Sequence, residues 1–249
     1  ADVVVVGGGG AGLAAAISAA QNGAKVIVVE KNGAVGGDTL VCGGIYNNPD
    51  PERQSKVTMT DSVKSTIETA LAAKPVSAEH KALMDEVRKE WDEYKKSGRT
   101  DLFDSVAWYT LQTYNGGDNV ADLDLVKVLT ENAVPGFEWV QELGMEFLGP
   151  IGQGAGSLWQ RTHSSVMKMG TGFIHTYVDN IAKDKNIELI TSTTATELIK
   201  DAKGAVVGVK AEGKNGDTYT LNAKKGVVLA SGGFAANGKM VQEYNTTGK

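Results

Sequence analysis

The sequence predicts an α/β fold built on a parallel sheet, and the first part of the chain supplies three observations for it. Residues 2–6 are dominated by valine, as in a strand that is buried on both faces of a parallel sheet. Residues 11–21 are rich in alanine and suit a helix with a small-residue face, which Asn22 and Gly23 end. Residues 25–30 form a second apolar run and complete a βαβ unit.

The middle of the chain is predicted to be a helical insertion, residues 57–144, that follows a first segment of residues 1–56. The glycine-rich stretch NGAVGGDTLVCGGIYNN at residues 32–48 is too long and irregular for a simple connection, so we expect it to line a site. Apolar periodicity, interrupted by breaks that include Pro135, then predicts helices at 58–73, 77–96, 106–114, 123–133 and 136–143.

Residues 145–249 are predicted to continue the domain that residues 1–56 begin. The predicted elements are a loop at 145–172, a helix near 173–183, a strand at 187–192, a three-stranded β-meander, a strand at 226–230 and a short helix from about residue 237. Turn residues at 201–204 and 214–217 join the strands of the meander as hairpins.

Composition excludes several classes of function. The 249 residues are 41% hydrophobic and 22% charged, enough for a sizeable core in one large domain or one and a half. A net charge of −5 argues against nucleic acid or an anionic membrane as partner. The single cysteine, Cys42, excludes a disulfide framework, and no metal-ligand spacing or membrane-spanning apolar run occurs. The composition does not distinguish among the bacterial cytoplasm, the periplasm and the cell surface as the compartment of this protein.

The glycines between the first strand and the first helix predict a dinucleotide site. In Gly7-x-Gly9-x-x-Gly12, the first glycine permits a tight turn, the second admits a pyrophosphate, and the third allows close helix–strand packing. The helix N-terminus then faces the anion. Glu30 ends the second strand, where a carboxylate accepts hydrogen bonds from a ribose 2′-hydroxyl. The alternative is a purely structural turn.

The order of the later elements favours FAD over a nicotinamide cofactor. A nicotinamide dehydrogenase normally continues βαβ, whereas here a glycine-rich loop and a long insertion follow the second strand. A β-meander then precedes the stretch VVLASGG. This order indicates a flavoprotein.

Four stretches carry a resemblance to a known family: VVVVGGGGAGLAAAISAAQNGAKVIVVEK, GGDTLVCGG, LITSTTATELIKDAKGAVVGV and GVVLASGGFAANGKMV. They resemble the soluble fumarate reductases, urocanate reductases and related flavocytochrome c-type enoate reductases. The resemblance implies a Rossmann-like FAD-binding domain of the glutathione reductase type. The residues that it implies for FAD are Gly7, Gly9, Gly10, Ala11, Gly12, Glu30, Lys31, Gly37, Asp38, Thr39, Gly43, Gly44, Ala195, Ser231, Gly232 and Gly233.

Two departures from the family pattern concern the loop after the second strand. Asp38 stands where the family usually has asparagine, and a carboxylate near a pyrophosphate is unfavourable unless it points away or bonds a hydroxyl. No histidine occurs between Glu30 and Asn48, where membrane-bound relatives attach FAD covalently. We therefore expect non-covalent FAD.

The implied reaction is the reduction of the C=C bond of a small α,β-unsaturated carboxylate by hydride transfer from flavin N5. The family's proton donor and carboxylate-binding residues lie downstream of this chain, which is expected to be the N-terminal portion of a longer enzyme and inactive alone. Arg161 and His163 match an Arg-x-His stretch that approaches flavin or substrate, or else only holds the loop. An electron-donor domain or protein is the implied partner. The alternatives are a ketosteroid dehydrogenase-like enzyme and a non-catalytic nucleotide-binding fragment.

Overall fold

The computed structural model describes residues 1–245 and divides into two compact units. Unit 1 comprises Ala1–Gly44 together with the described part of Met167–Lys249, and unit 2 comprises Ile45–Val166. The predicted boundaries after residues 56 and 144 differ from this division. The reason is that β3 (Ile45–Asn47) pairs antiparallel with β4 (Thr162–Ser164), which places both flanks of the helical insertion in unit 2.

Unit 1 contains the predicted parallel sheet. Its strands are β1 (Val3–Val6), β2 (Val26–Val29), β5 (Ile187–Ile190) and β9 (Gly226–Leu229). They lie in the order β5-β2-β1-β9. All three pairings are parallel, and β1 lies between β2 and β9. Val4, Val5 and Val28 are fully buried, as expected of valine runs that are covered on both faces. The α/β prediction is confirmed.

Alternate residues of β1 pack against different layers of unit 1. Val5 belongs to a cluster with Ala16 and Ala20 of helix α1 (Gly10–Gln21). Val4 belongs to a cluster with Val209 of the meander, on the opposite face of the sheet. The small side chains of α1 therefore allow the close approach that the alanine pattern predicted.

The other elements of unit 1 also agree with the sequence pattern. The meander strands β6 (Thr193–Lys200), β7 (Val206–Gly213) and β8 (Thr218–Asn222) form an antiparallel sheet in sequential order. The helices are α8 (Thr171–Ile181) and α9 (Gly238–Tyr244), with a short 3-10 helix at Gly37–Val41. The glycine-rich stretch at residues 32–48, predicted to be irregular, contains this 3-10 helix and also strand β3, neither of which was predicted.

Unit 2 is helical around a core that includes three tryptophans, Trp91, Trp108 and Trp159. Its helices are α2 (Pro51–Gln54), α3 (Asp61–Ala72), α4 (Ala78–Ser97), α5 (Val106–Gly116), α6 (Leu123–Glu131) and α7 (Ala133–Glu142). The predicted break at Pro135 is wrong. Pro135 lies in the first turn of α7, where its missing N–H removes no helical hydrogen bond, and the chain turns at Asn132 instead.

Across residues 1–245, no helix has the length and apolarity that crossing a bilayer requires. Within the same range, no three side chains of His, Cys, Asp or Glu are grouped so that they could hold a metal ion.

Candidate cofactor-binding site

Most of the residues predicted to bind the cofactor line one cleft of unit 1, with a volume of about 560 Å³. The cleft lies where β1, β2 and β9 end, at the carboxyl edge of the parallel sheet, which is where α/β sheets bind ligands. Its lining residues are Gly7, Gly9, Gly10, Ala11, Glu30, Lys31, Asn32, Gly37, Asp38, Thr39, Leu229, Ala230, Ser231, Gly232 and Gly233.

Gly7 and Gly12 have steric reasons to be glycine. Gly7 has φ of 105°, and a Cβ atom there would lie 2.3 Å from the carbonyl oxygen of Ala230. A Cβ atom on Gly12 would lie 1.9 Å from the carbonyl oxygen of Gly7. The first and third glycines of the fingerprint therefore serve the tight turn and the helix–strand packing that the motif predicts.

Gly9 has a different role, because a Cβ atom there would meet only the carbonyl oxygen of Gly36, at 3.9 Å. Gly9 is the N-cap residue of α1 and has no side chain with which to cap the helix. Gly9, Gly10 and Ala11 line the cleft, so the positive end of the helix dipole faces it. Open space beside a helix N-terminus whose N-cap is glycine suits a phosphate group.

The 3-10 helix at Gly37–Val41 forms a second wall of the cleft. The backbone N–H of Gly10 donates to Oγ1 of Thr39 at 3.1 Å. On the other side of this wall, a Cβ atom on Gly170 would lie 1.7 Å from the carbonyl oxygen of Thr39. Backbone contact with the residue that precedes α8 therefore holds Thr39 against the first turn of α1.

Glu30 is buried at the end of β2, and both of its carboxylate oxygens accept hydrogen bonds from the protein. Oε2 accepts from the backbone N–H of Gly8 and Oε1 from that of Asn32, each at 2.8 Å. The side chain also lines the cleft. Its role as a ribose acceptor stays a prediction.

Four predicted residues do not line this cleft. Gly12 is buried beneath the glycine loop, and Gly43 is exposed. Gly44 is buried with φ of 65°, and a Cβ atom there would lie 1.8 Å from the carbonyl oxygen of Met169. Ala195 packs against the cluster that contains Val4 and Val209.

Sequence reasoning missed three residues that line the cleft, namely Asn32, Leu229 and Ala230. Asn32 follows the predicted residue Lys31, and Leu229 and Ala230 directly precede the predicted residue Ser231. Asp38, which departs from the family pattern, is exposed and lines the cleft.

Arg161 lies in unit 2, where its guanidinium group is buried and engaged. Nε and Nη2 donate to the two oxygens of Asp104 at 3.0 and 2.6 Å, and Nη1 donates to Oε1 of Gln112 at 2.8 Å. The group also stacks over the ring of Tyr109, 4.4 Å from its centroid. Burial raises the pKa of the Tyr109 hydroxyl, although the charge of Arg161 opposes the shift.

His163 is fully buried in unit 2 and joins β4 to the residues around α2. Its Nε2 lies 3.0 Å from a carboxylate oxygen of Asp50, and its Nδ1 lies 3.3 Å from the carbonyl oxygen of Tyr46. Asp50 is also the N-cap of α2, since its side chain accepts from the backbone N–H of Arg53. These contacts favour the loop-holding alternative for Arg161 and His163.

The Asp50 cluster predicts a change in acid stability. Burial alone would raise the pKa of the Asp50 carboxyl, but hydrogen bonds from the backbone and side chain of Arg53 and from His163 lower it below its usual range. The ionised form therefore stabilises the fold above the pKa of the unfolded state, and this contribution is lost as the pH falls through the folded pKa. We expect Asp50→Asn to lower the free energy of unfolding at pH 7 and to flatten its decline between about pH 5 and pH 2.

Urea unfolding of wild type and Asp50→Asn at pH 7 and at pH 3 measures this difference. Asp61→Asn is the control, because the Asp61 side chain is 98% exposed and its ion pair with Lys64 lies at the surface. Equal pH dependence of wild type and Asp50→Asn would contradict the assignment.

Comparison with known proteins agrees with the site. The FAD dependent oxidoreductase family matches residues 2–246. The chain is 36% identical over 261 residues to NADH:acrylate oxidoreductase of Vibrio harveyi, a match that covers 98% of this chain and 26% of that protein. It is 34% identical over 230 residues to urocanate reductase of Eggerthella lenta, covering 90% of this chain and 30% of that one.

A solved structure shows the same arrangement. The open conformation of a flavocytochrome c3 fumarate reductase matches with a TM-score of 0.73 and 25% identity, over 98% of this chain and 35% of that chain. The chain thus spans between 26% and 35% of the length of these proteins. The family match covers nearly all of the sequence, including the glycine fingerprint, the meander and the Ser231–Gly233 turn. The chain belongs to the FAD dependent oxidoreductase family.

Proposed function

We propose that this chain is the FAD-binding portion of an oxidoreductase that reduces the C=C bond of a small α,β-unsaturated carboxylate. The observation that carries the proposal is the cleft at the carboxyl edge of the sheet, which the N-terminus of α1 faces and where Gly9, its N-cap residue, leaves open space. The names of the relatives, an acrylate oxidoreductase and a urocanate reductase, support unsaturated acids as the substrate class.

The residues present fit FAD. The pyrophosphate belongs beside Gly9, where a Cβ atom would meet nothing closer than 3.9 Å and the helix dipole favours an anion. Thr39 and the turn at Ser231, Gly232 and Gly233 line the same cleft and contribute a hydroxyl group and backbone amides. No histidine occurs among residues 31–48, which supports non-covalent binding.

Once reduced by two electrons from the electron donor, the bound flavin would supply a hydride from N5 to the β-carbon of the acid and return to oxidised FAD, while the other carbon would receive a proton from an acid group. The described residues of this chain contribute binding and orientation of the cofactor. The proton donor, the groups that bind the substrate carboxylate, and the electron donor are proposed to belong to the regions that the longer relatives contain beyond this match.

Titration of the purified chain with FAD, followed by quenching of flavin fluorescence, tests the cofactor. We expect saturable binding of one FAD, and we expect heat or acid denaturation to release the flavin into the supernatant. Flavin that stays with the precipitated polypeptide would contradict non-covalent binding, and the absence of saturable binding would contradict the FAD site.

The reaction is tested with the longer polypeptide that contains this chain together with the regions found in its relatives. Reduced viologen should be oxidised when acrylate, urocanate or fumarate is added. Oxidation of saturated or steroid substrates with a dye as acceptor, without viologen oxidation by unsaturated acids, would instead identify a dehydrogenase of the ketosteroid type.

A further inference from the structure

We infer that Glu30 is a positioning residue for the glycine loop, residues 7–12. Binding of the cofactor phosphates then depends on Glu30 indirectly, because Glu30 holds the backbone of that loop in place. The inference rests on the proposed FAD site for its ligand measurements. Gly8 lies between Gly7, where the chain turns with φ of 105°, and Gly9, which faces the cleft.

The backbone of Gly8 is held on both sides before any ligand is present. Its N–H donates to Oε2 of Glu30 at 2.8 Å, and its carbonyl oxygen accepts from the N–H of Gly36 at 2.8 Å. The first bond orients the Gly7–Gly8 peptide and the second orients the Gly8–Gly9 peptide, so together they fix the approach of the chain to Gly9, the residue at the open face of the cleft. The N–H groups that follow are those that face the cleft at the start of α1.

Glu30 is itself rigidly placed, because four hydrogen bonds hold it. Its own N–H donates to the carbonyl oxygen of Ile190 at 2.9 Å, and its carbonyl oxygen accepts from Thr193 at 3.0 Å. Its second carboxylate oxygen accepts from Asn32. The carboxylate thus transmits the position of β5 and β6 to the glycine loop, with only 5% of the residue exposed.

The chemistry of the contact explains why a carboxylate is needed at this position. Both partners of the Glu30 oxygens are N–H donors, and a carboxylate is the side chain that accepts on both oxygens. A glutamine would present an NH₂ group to one of these donors, so one of the two bonds would be lost. Hydrogen bonds to a charged group are stronger than neutral ones, and an unpaired buried N–H is destabilising.

The first test needs no ligand. Hydrogen exchange of the ligand-free chain is compared for wild type and Glu30→Gln, with the amides of residues 8–12 as the readout. We expect their exchange to accelerate about tenfold, as the loss of one charge-assisted bond predicts, while amides of β7 and β8 keep their rates. Unchanged exchange of the glycine loop would overturn the inference.

A matched control lies at the other end of the same strand pair. Oδ2 of Asp2 accepts from the backbone N–H of Lys25 at 2.8 Å, so it also joins the β1 and β2 segments by a carboxylate–backbone bond. Asp2→Asn should leave exchange of residues 8–12 and nucleotide affinity unchanged. If Asp2→Asn accelerates them as much as Glu30→Gln does, the effect belongs to general sheet stability and the inference is overturned.

The second test separates positioning from ribose recognition, using ADP and 2′-deoxy-ADP as probes. If Glu30 acts by positioning the loop, Glu30→Gln should weaken the binding of both nucleotides by the same factor, about tenfold. A loss confined to ADP would assign Glu30 to the ribose hydroxyl and overturn the inference. Glu30→Asp, which keeps the charge but shortens the reach by one methylene, serves if Glu30→Gln does not fold, with the same outcomes.

Failure of the proposed function can be told apart from failure of this inference. A wild-type chain that binds neither ADP nor FAD contradicts the FAD site, and the exchange measurement then decides the role of Glu30. The FAD site and the positioning role are both supported if the wild-type chain binds ADP and FAD and if Glu30→Gln shows two effects. These are an equal loss of affinity for ADP and 2′-deoxy-ADP, and faster hydrogen exchange in the glycine loop.

Discussion

Replacing Gly12 by alanine is expected to destabilise unit 1 by about 3 kcal/mol or more and to abolish FAD binding, because the new methyl group overpacks the junction of α1 with the loop after β1. The Cβ atom would lie 1.9 Å from the carbonyl oxygen of Gly7, a backbone atom that cannot rotate away. Relief requires α1 to move off the sheet, which would expose Ala16 and Ala20 of the same helix. Urea unfolding followed by circular dichroism, together with FAD titration, measures both effects.

Gly9→Ala is the matched control for Gly12→Ala, since it adds the same methyl group three residues earlier. Gly9 has φ of −80° and ψ of −176°, a backbone conformation that alanine adopts freely. The loss of stability should stay near 1 kcal/mol or below, the cost of alanine at an N-cap. FAD binding should nevertheless weaken roughly tenfold, equivalent to about 1.4 kcal/mol, because the methyl group points into the cleft.

The contrast between these two variants separates fold from site. If Gly9→Ala binds FAD like wild type, the pyrophosphate does not lie beside Gly9. If Gly12→Ala is as stable as Gly9→Ala, the close contact between the first turn of α1 and Gly7 is not essential to the fold.

Replacing Arg161 by methionine is expected to destabilise unit 2 by about 3–5 kcal/mol, the range for breaking a buried ion pair from one side. The side chains of Arg161 and Asp104 are 3% and 1% exposed, and two hydrogen bonds join them. Without the guanidinium group, the buried carboxylate of Asp104 keeps the hydrogen bonds from Gln54 Nε2 and from the backbone N–H of Ser105, which are neutral donors that do not compensate its charge. Thermal or urea unfolding of the variant measures the loss.

Two further variants test this explanation of the Arg161 effect. Lys64→Met removes one partner of an exposed pair with Asp61, and its cost should be below about 1 kcal/mol. Adding Asp104→Leu to Arg161→Met should recover part of the lost stability, because the uncompensated charge is then gone. A double variant less stable than Arg161→Met, or a single variant as mild as Lys64→Met, would contradict the buried-charge explanation.

Much of unit 1 could be predicted because its signals are local. The valine runs of β1 and β2, the alanine face of α1 and the hairpin turns of the meander each depend on residues a few positions apart. The same holds for the fingerprint, since Gly7 and Gly12 contact each other across a single turn. Short-range sterics decide such elements, so their order and type followed from the sequence.

The pairing of β3 with β4 lay beyond sequence reasoning. Each strand has three residues, too few for a periodic pattern, and the hydrogen bond between Asn47 and Thr162 spans 115 positions. The division into two units depends on this pairing. The predicted boundaries followed changes in composition along the chain instead, which carry no information on distant strand pairing.

By itself, the sequence determined the α/β class, the glycine loop and the set of segments that meet at the cleft. Only the tertiary structure decided what individual polar side chains do there and in unit 2. Glu30 holds the Gly8 peptide, and Arg161 pairs with Asp104, which lies 57 positions away. The physical reason is that a polar side chain has several acceptable partners of similar chemistry. Burial, which the whole chain creates, selects the partner because a desolvated charge must be satisfied.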